Sequence, residues 1–91
     1  MINNKSQIPN SNLQLAKEIK MIVAKILKVP EEKIREDANL FADLGVDSLL
    51  GVEIFAALDK KYNLNVPEEK VKDVVTVKDL INLVQGLLAK Q

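Results

Sequence analysis

At 91 residues, with neither cysteine nor histidine, the chain has room for one small domain. Disulfides, thiolate chemistry, Ser–His pairs and zinc sites of the usual N/S type are excluded. Aromatic residues make up 3% (Phe41, Phe55, Tyr62), and 13 basic residues balance 13 acidic ones. That composition lacks both the stacking platform and the basic surplus of a nucleic-acid binder, and it disfavours a self-contained hydrolase or metalloenzyme.

Residues 1–10 are polar and end in Pro9-Asn10, which reads as a flexible N-terminal tail before a domain spanning residues 11–91. From Ser11, Leu15, Ile19, Ile22, Val23, Ile26 and Leu27 recur at helical spacing, with most lysines off that stripe. Pro30 follows the end of this first helix. Residues 28–47 form a long connection anchored by Ile34, Leu40, Phe41 and Leu44. A structureless loop of that length is uncommon, so helical turns are expected at Pro30–Ile34 and at Leu40–Leu44, with Gly45 as the break before the next element.

A second long helix is predicted from about Ser48 to Lys61. Gly51, Ile54, Phe55, Leu58 and Tyr62 share one face, and Leu49, Glu53, Ala56 and Lys60 the opposite one, at about 100° per residue. Val52 lies on the flank, and Lys61 nearer the core. Pro67 opens a short helix to about Val74, with Glu68 and Glu69 at its positive dipole end. Thr76 reads as an N-cap with Asp79 in the capping-box position. The last helix buries Val77, Leu80, Ile81, Val84, Leu87 and Leu88. The expected fold is therefore all-α: a small bundle of three long helices and one short one, with a long loop between helices one and two. The nearest strand candidate, Leu64-Asn65-Val66, is too short to make a sheet.

Charge is unevenly placed. Residues 1–30 hold five lysines against one acid, residues 31–59 eight acids against two bases, and residues 60–91 six lysines against four acids. The acidic middle third reads either as an uneven solvated surface or as a patch that steers a basic partner. No apolar run approaches the roughly 20 residues of a membrane span, and the first residues lack the apolar core of a signal peptide, so a cytoplasmic protein is expected.

The most informative stretch is Asp43-Leu44-Gly45-Val46-Asp47-Ser48-Leu49. It sets a serine at the first turn of the second helix. On the residues alone, Ser48 reads either as a helix N-cap or as a serine offered to a visiting enzyme. The outward apolar strip of Leu49, Val52 and Ala56, rimmed by acids, suits a docking surface.

With Val52-Glu53-Ile54 and Ala57-Leu58 after it, this stretch resembles the acyl carrier protein family over about residues 13–88. The resemblance implies a four-helix bundle in which Ser48 receives 4′-phosphopantetheine from coenzyme A, through a separate Mg²⁺-dependent phosphopantetheinyl transferase. The thiol of that arm would carry acyl groups as thioesters, which suits a chain without cysteine; the chain would carry cargo and catalyse nothing itself. Asp47 and Leu49 flank the attachment site. Leu49, Leu50, Val52, Glu53, Ala56, Asp59 and Lys60 match partner-docking positions. Leu40, Leu58, Val66, Val71, Val74, Leu80 and Val84 match positions lining an acyl pocket. The implied partners, beside the transferase, are acyl-loading, condensing and acyl-transfer enzymes, with no metal, no nucleic acid and no membrane span, and a monomer is expected.

The chain differs from fatty-acid carriers at Leu50, Gly51, Ala56, Lys60 and Lys61. Leu50-Gly51 is closer to carriers of polyketide-type systems. A carrier dedicated to a polyketide, aminoacyl or other specialised pathway is thus the alternative to one serving fatty-acid or related biosynthesis. A helical interaction domain, in which Ser48 is only a cap, is the reading from a different class.

Overall fold

The computed structural model describes residues 12–89. Its elements are α1 (Asn12–Leu27), a 3-10 turn (Glu31–Lys33), α2 (Ser48–Tyr62), α3 (Glu68–Val71) and α4 (Val77–Ala89). Among the described residues there is no strand, only one isolated bridge between Asn39 and Thr76. This is the expected all-α bundle of three long helices and one short one. The expected tail at 1–10 and the helix start at Ser11 lie outside the described residues.

The core is a single cluster contributed by α1, the long loop, α2 and α4. Leu15, Ile19 and Val23, four residues apart, form the buried ridge of α1, joined by Ala16 and Ala24. The stripe read from the sequence gave equal weight to Ile22, Ile26 and Leu27, which are half-buried. Ile54, Leu58 and Tyr62 face the ridge from α2, and Val77, Leu80, Ile81 and Val84 from α4. Leu87 and Leu88, expected in the core, are only half-buried.

Both α1 and α2 end on a non-glycine residue in the left-handed region, Lys28 (φ 61°) and Asn63 (φ 55°). In each case the next amide turns back onto a helix carbonyl, Val29 onto Ala24 at 3.1 Å and Leu64 onto Asp59 at 2.9 Å. This closes otherwise open carbonyls. Asparagine tolerates that conformation readily, whereas lysine gives no sequence signal for it.

The long loop is pinned to the start of α4. Leu40 N–H donates to the Val75 carbonyl (2.8 Å), Val77 N–H to Ala38 (3.1 Å) and Lys78 N–H to Glu36 (2.9 Å). The capping box supplies the rest: Asp79 N–H donates to Thr76 Oγ1 at 3.1 Å, and the amides of Val75 and Thr76 donate to Asp79 Oδ2 at 3.0 and 3.1 Å. These bonds hold the Asp79 carboxyl below its ordinary pKa, the Thr76 amide most and the Val75 amide next. Within the loop, Ile34, Ala38, Leu40 and Val46 are buried. Phe41, expected as an anchor, is 52% exposed. The reason is the turn at 39–44, where the Asn39 side chain accepts from the amides of Phe41 (2.9 Å) and Ala42 (2.8 Å). That turn directs Leu40 into the core and Phe41 out of it.

The short helix is briefer than expected. It stops at Val71, and the chain tightens into turns, with Asp73 N–H on the Lys70 carbonyl and Val74 N–H on that of Val71. Pro67 precedes it as the N-cap, in extended conformation (φ −64°, ψ 137°).

Candidate functional site

Ser48 sits at the junction of the pinned loop and α2. Gly45 takes φ +73°, a conformation that costs glycine little. Val46 then turns inward, buried, with its amide on the Leu40 carbonyl at 2.9 Å. Asp47 follows in extended conformation (φ −109°), and its Oδ1 accepts from the Leu50 amide at 2.8 Å. The N-cap of α2 is therefore Asp47, not Ser48. The helix begins at Ser48, as expected, but of the two readings of Ser48 the cap is not the one observed. Ser48 is exposed at the first helical position, and its hydroxyl has no part in capping. Leu50 N–H is taken by the Asp47 side chain and Gly51 N–H by the Asp47 carbonyl at 2.8 Å. Ser48 is thus held by its neighbours, its hydroxyl free and close to the positive end of the helix dipole.

Beside Ser48 an open groove of about 730 Å³ runs along α2 towards α3. Its walls include Leu40, Val71, Val74 and Leu80, four of the seven residues matched to an acyl pocket. Leu58 and Val84 are not among its lining residues; both are fully buried in the core. Val66 is half-buried and also absent from the lining. The sequence did not single out Phe41, Val46, Phe55, Glu68 or Lys72 as lining residues. Helical phase could have suggested Phe55, but the others depend on how the loop and the segment after Pro67 fold back.

The outward face of α2 matches its expected phase. Leu49 is 68% exposed and Val52 65%, and Glu53, Ala56 and Lys60 are exposed alongside them. Val52, placed on the flank from sequence, also lines the groove. Two residues grouped with this strip lie elsewhere. Leu50 is half-buried against the core. Asp59 is half-buried on the groove wall, with Oδ1 shut off from solvent and without a hydrogen-bond partner. The acids Asp43, Asp47 and Glu53 are exposed around Ser48.

The family model described as "Phosphopantetheine attachment site" matches residues 17–84. The chain belongs to the acyl carrier protein family. It is 35% identical over 68 residues to the acyl carrier protein of Wolinella succinogenes, covering 75% of this chain and 90% of that one. It is 31% identical over 75 residues to the acyl carrier protein of a Sulfurovum species, covering 82% of this chain and all of the relative. The HMG-ACPI domain from the CurA module of Lyngbya majuscula superposes with a TM-score of 0.72 at 29% identity, over 97% of this chain and 86% of that one. The apo doublet acyl carrier protein from prodigiosin biosynthesis gives 0.71 at 22% identity, a likeness of fold; the match covers 91% of this chain and 42% of the doublet.

This acyl carrier protein carries acyl groups as thioesters on covalently bound 4′-phosphopantetheine. Its family works by carriage rather than catalysis, in company with biosynthetic enzymes. Among the described residues no helix is long and apolar enough to cross a membrane.

Proposed function

We propose that Ser48 is the residue to which the phosphopantetheine arm is attached. The observation that carries this reading is an exposed serine hydroxyl at the start of α2 whose expected capping duty is done by Asp47. Attachment forms a phosphodiester on Ser48 Oγ as the pyrophosphate P–O bond of coenzyme A breaks; adenosine 3′,5′-bisphosphate leaves, and the hydroxyl proton passes to a base of the transferase. Activation of the hydroxyl belongs to the transferase; this chain offers Ser48 no histidine partner. Asp47 keeps the first turn rigid, and the amide dipoles of that turn favour the phosphate. Once attached, the arm supplies a terminal thiol for the acyl group.

In this reading the chain itself catalyses nothing and works in the cytoplasm. The exposed strip of Leu49, Val52, Glu53 and Ala56 docks the transferase and the acyl-loading, condensing and acyl-transfer enzymes. The groove bounded by Leu40, Val71, Val74 and Leu80 shelters the acyl chain, and the buried Leu58 and Val84 act from behind that wall as packing.

Incubation with coenzyme A and a promiscuous transferase tests the reading. Wild type should gain the mass of one arm and Ser48→Ala none. Because the cap is Asp47, Ser48→Ala should melt close to wild type, whereas Asp47→Ala should lose about 1 kcal/mol. An arm on folded Ser48→Ala protein would refute the assignment.

A further inference from the structure

Gly51 breaks a local rule, and the fold supplies no reason for it. It stands inside α2, one turn beyond Ser48. Glycine is a poor residue for a helix interior, because it has the most backbone freedom to lose. The backbone does not require it there: among the described residues, positive φ is confined to Lys28, Asn63 and Gly45. Packing does not require it either. Among the described residues, a Cβ added to Gly51 would meet no closer atom than Val46 Cγ1 at 3.9 Å, an ordinary van der Waals contact. Alanine would fit, and the helix would gain by it.

The space left bare belongs to the groove. Ser48, Gly51 and Phe55 line it at successive turns of α2, and Val46, whose methyl bounds the missing Cβ, lines it too. A phosphopantetheine arm on Ser48 starts with the phosphate and a methylene, followed by a carbon bearing two methyl groups, the bulkiest point of the arm. That carbon is about four bonds from Ser48 Oγ, which at roughly 1.25 Å of reach per bond is about 5 Å. Gly51 lies about 4.5 Å from Ser48 along the helix axis. An arm laid in the groove therefore brings its bulkiest and most apolar point level with the position that has no side chain. Val46 and Phe55 offer that point an apolar seat. A side chain at 51 would occupy the seat and hold the arm off the helix.

We infer that Gly51 forms the seat of the arm's dimethyl carbon against Val46 and Phe55, so that the arm itself enters the groove at its root and leads its cargo towards Val71, Val74 and Leu80. The inference rests on attachment at Ser48.

The test attaches a cargo-free arm, ¹³C-labelled in its two methyl groups, to wild type, Gly51→Ala, Gly51→Leu and Gly86→Ala, with intact mass confirming one arm per chain. Gly86→Ala is the control: Gly86 is a second helical glycine, exposed on α4, with nothing within 4 Å of its Cβ position among the described residues. In wild type, nuclear Overhauser contacts should join the labelled methyls to the Val46 methyls and the Phe55 ring. Gly86→Ala should keep these contacts, Gly51→Ala should weaken them and Gly51→Leu should lose them with the arm still attached. Before attachment, Gly51→Ala should melt several degrees above wild type, since it removes a helical glycine. Should Gly51→Leu fail to fold or to take an arm, the weakening in Gly51→Ala decides. Absence of the contacts in wild type would overturn the inference. So would contacts undiminished in Gly51→Leu or Gly51→Ala, or lost equally in Gly86→Ala. Arm-free Gly51→Ala melting below wild type would also overturn it, by showing that the glycine serves the fold. Failure of wild type to accept an arm on Ser48 would instead overturn the attachment reading, and this inference with it.

Discussion

The Tyr62 hydroxyl donates a 2.7 Å hydrogen bond to Glu18 Oε1, tying the last turn of α2 to the second turn of α1. Tyr62 is 1% exposed, so its ring is core and only its oxygen reaches a polar group. Lys61 approaches the same carboxylate at 3.9 Å and stands 5.7 Å from the centre of the Tyr62 ring. The pair fixes the far end of α2, as the Asp47 cap fixes the end that presents Ser48.

Burial, and then the hydrogen bond to Glu18, raise the Tyr62 pKa far above its ordinary value of 10.0. The neutral phenol is the form the fold prefers. Its stabilisation is complete below pH 10 and declines as the pH climbs beyond 10, where the unfolded chain ionises first. Tyr62→Phe should cost about 1–2 kcal/mol near neutral pH, the value of a partly solvated hydrogen bond to a charged group, and should flatten the alkaline decline. Urea melts at pH 8 and pH 11 measure both. Equal alkaline losses in the two proteins would show that Tyr62 is not the titrating group.

The Asp79 carboxylate works at the other end of the pH scale. Its pKa is lowered in the fold by amides that it accepts from. The stability it contributes is present above the unfolded value of about 3.9 and is lost as the pH falls through the lower folded value. Asp79→Ala should cost about 1 kcal/mol at pH 7, as capping losses do, and the variant should lose less than wild type between pH 5 and pH 2. Thermal melts across that range decide it; parallel curves would remove Asp79 from the account.

Much of this fold could be read from residue spacing. The α2 phase that placed Ile54, Leu58 and Tyr62 inward and Leu49, Glu53 and Ala56 outward is the phase observed, because helical geometry alone decides it. The Thr76–Asp79 box was legible because a cap is a local interaction. What depends on chain reversal was not legible. The outward turn of Phe41, the burial of Val46 and the docking of the loop carbonyls onto α4 join residues far apart in sequence. The choice between Asp47 and Ser48 as the cap of α2 was not legible, because both are good capping residues and only the backbone conformation separates them. The groove was half legible: apolar positions could be matched, but core and wall look alike in sequence, and the orphaned oxygen of Asp59 gives no sequence signal.

Val52, at 65% exposure, gives up little buried area when replaced. Val52→Asp should lower stability by less than about 1 kcal/mol, as surface changes do. Turnover with an acyl-loading partner should fall about tenfold or more if the apolar strip lies at the docked interface. Melting temperature and initial rate, measured together, separate the two effects; unfolding without a specific rate defect would mean that Val52 serves packing instead.

Lys60 and Lys61 part company in the structure. Lys60 is exposed on the docking face, whereas Lys61 is half-buried beside Glu18. Both sit in the last turn of α2, where the dipole favours cations by about 0.3–1 kcal/mol. Lys60→Glu should speed reaction with a general fatty-acid enzyme that presents a basic docking surface, most at low salt, where association is steered by charge. Lys61→Glu should instead lower stability, by setting a second carboxylate beside Glu18. Initial rates across a salt series test the first statement; equal low-salt rates for wild type and Lys60→Glu would leave only the dipole role for Lys60.

The central claim is that one serine carries the arm. Trypsin releases residues 36–60 as a peptide whose only hydroxyl side chain is that of Ser48. Tandem mass spectrometry of the digest, after reaction with coenzyme A and a transferase, should place the whole arm on that peptide and on Ser48. An arm found on the peptides holding Ser6, Ser11, Tyr62 or Thr76, with Ser48 unmodified, would contradict the account.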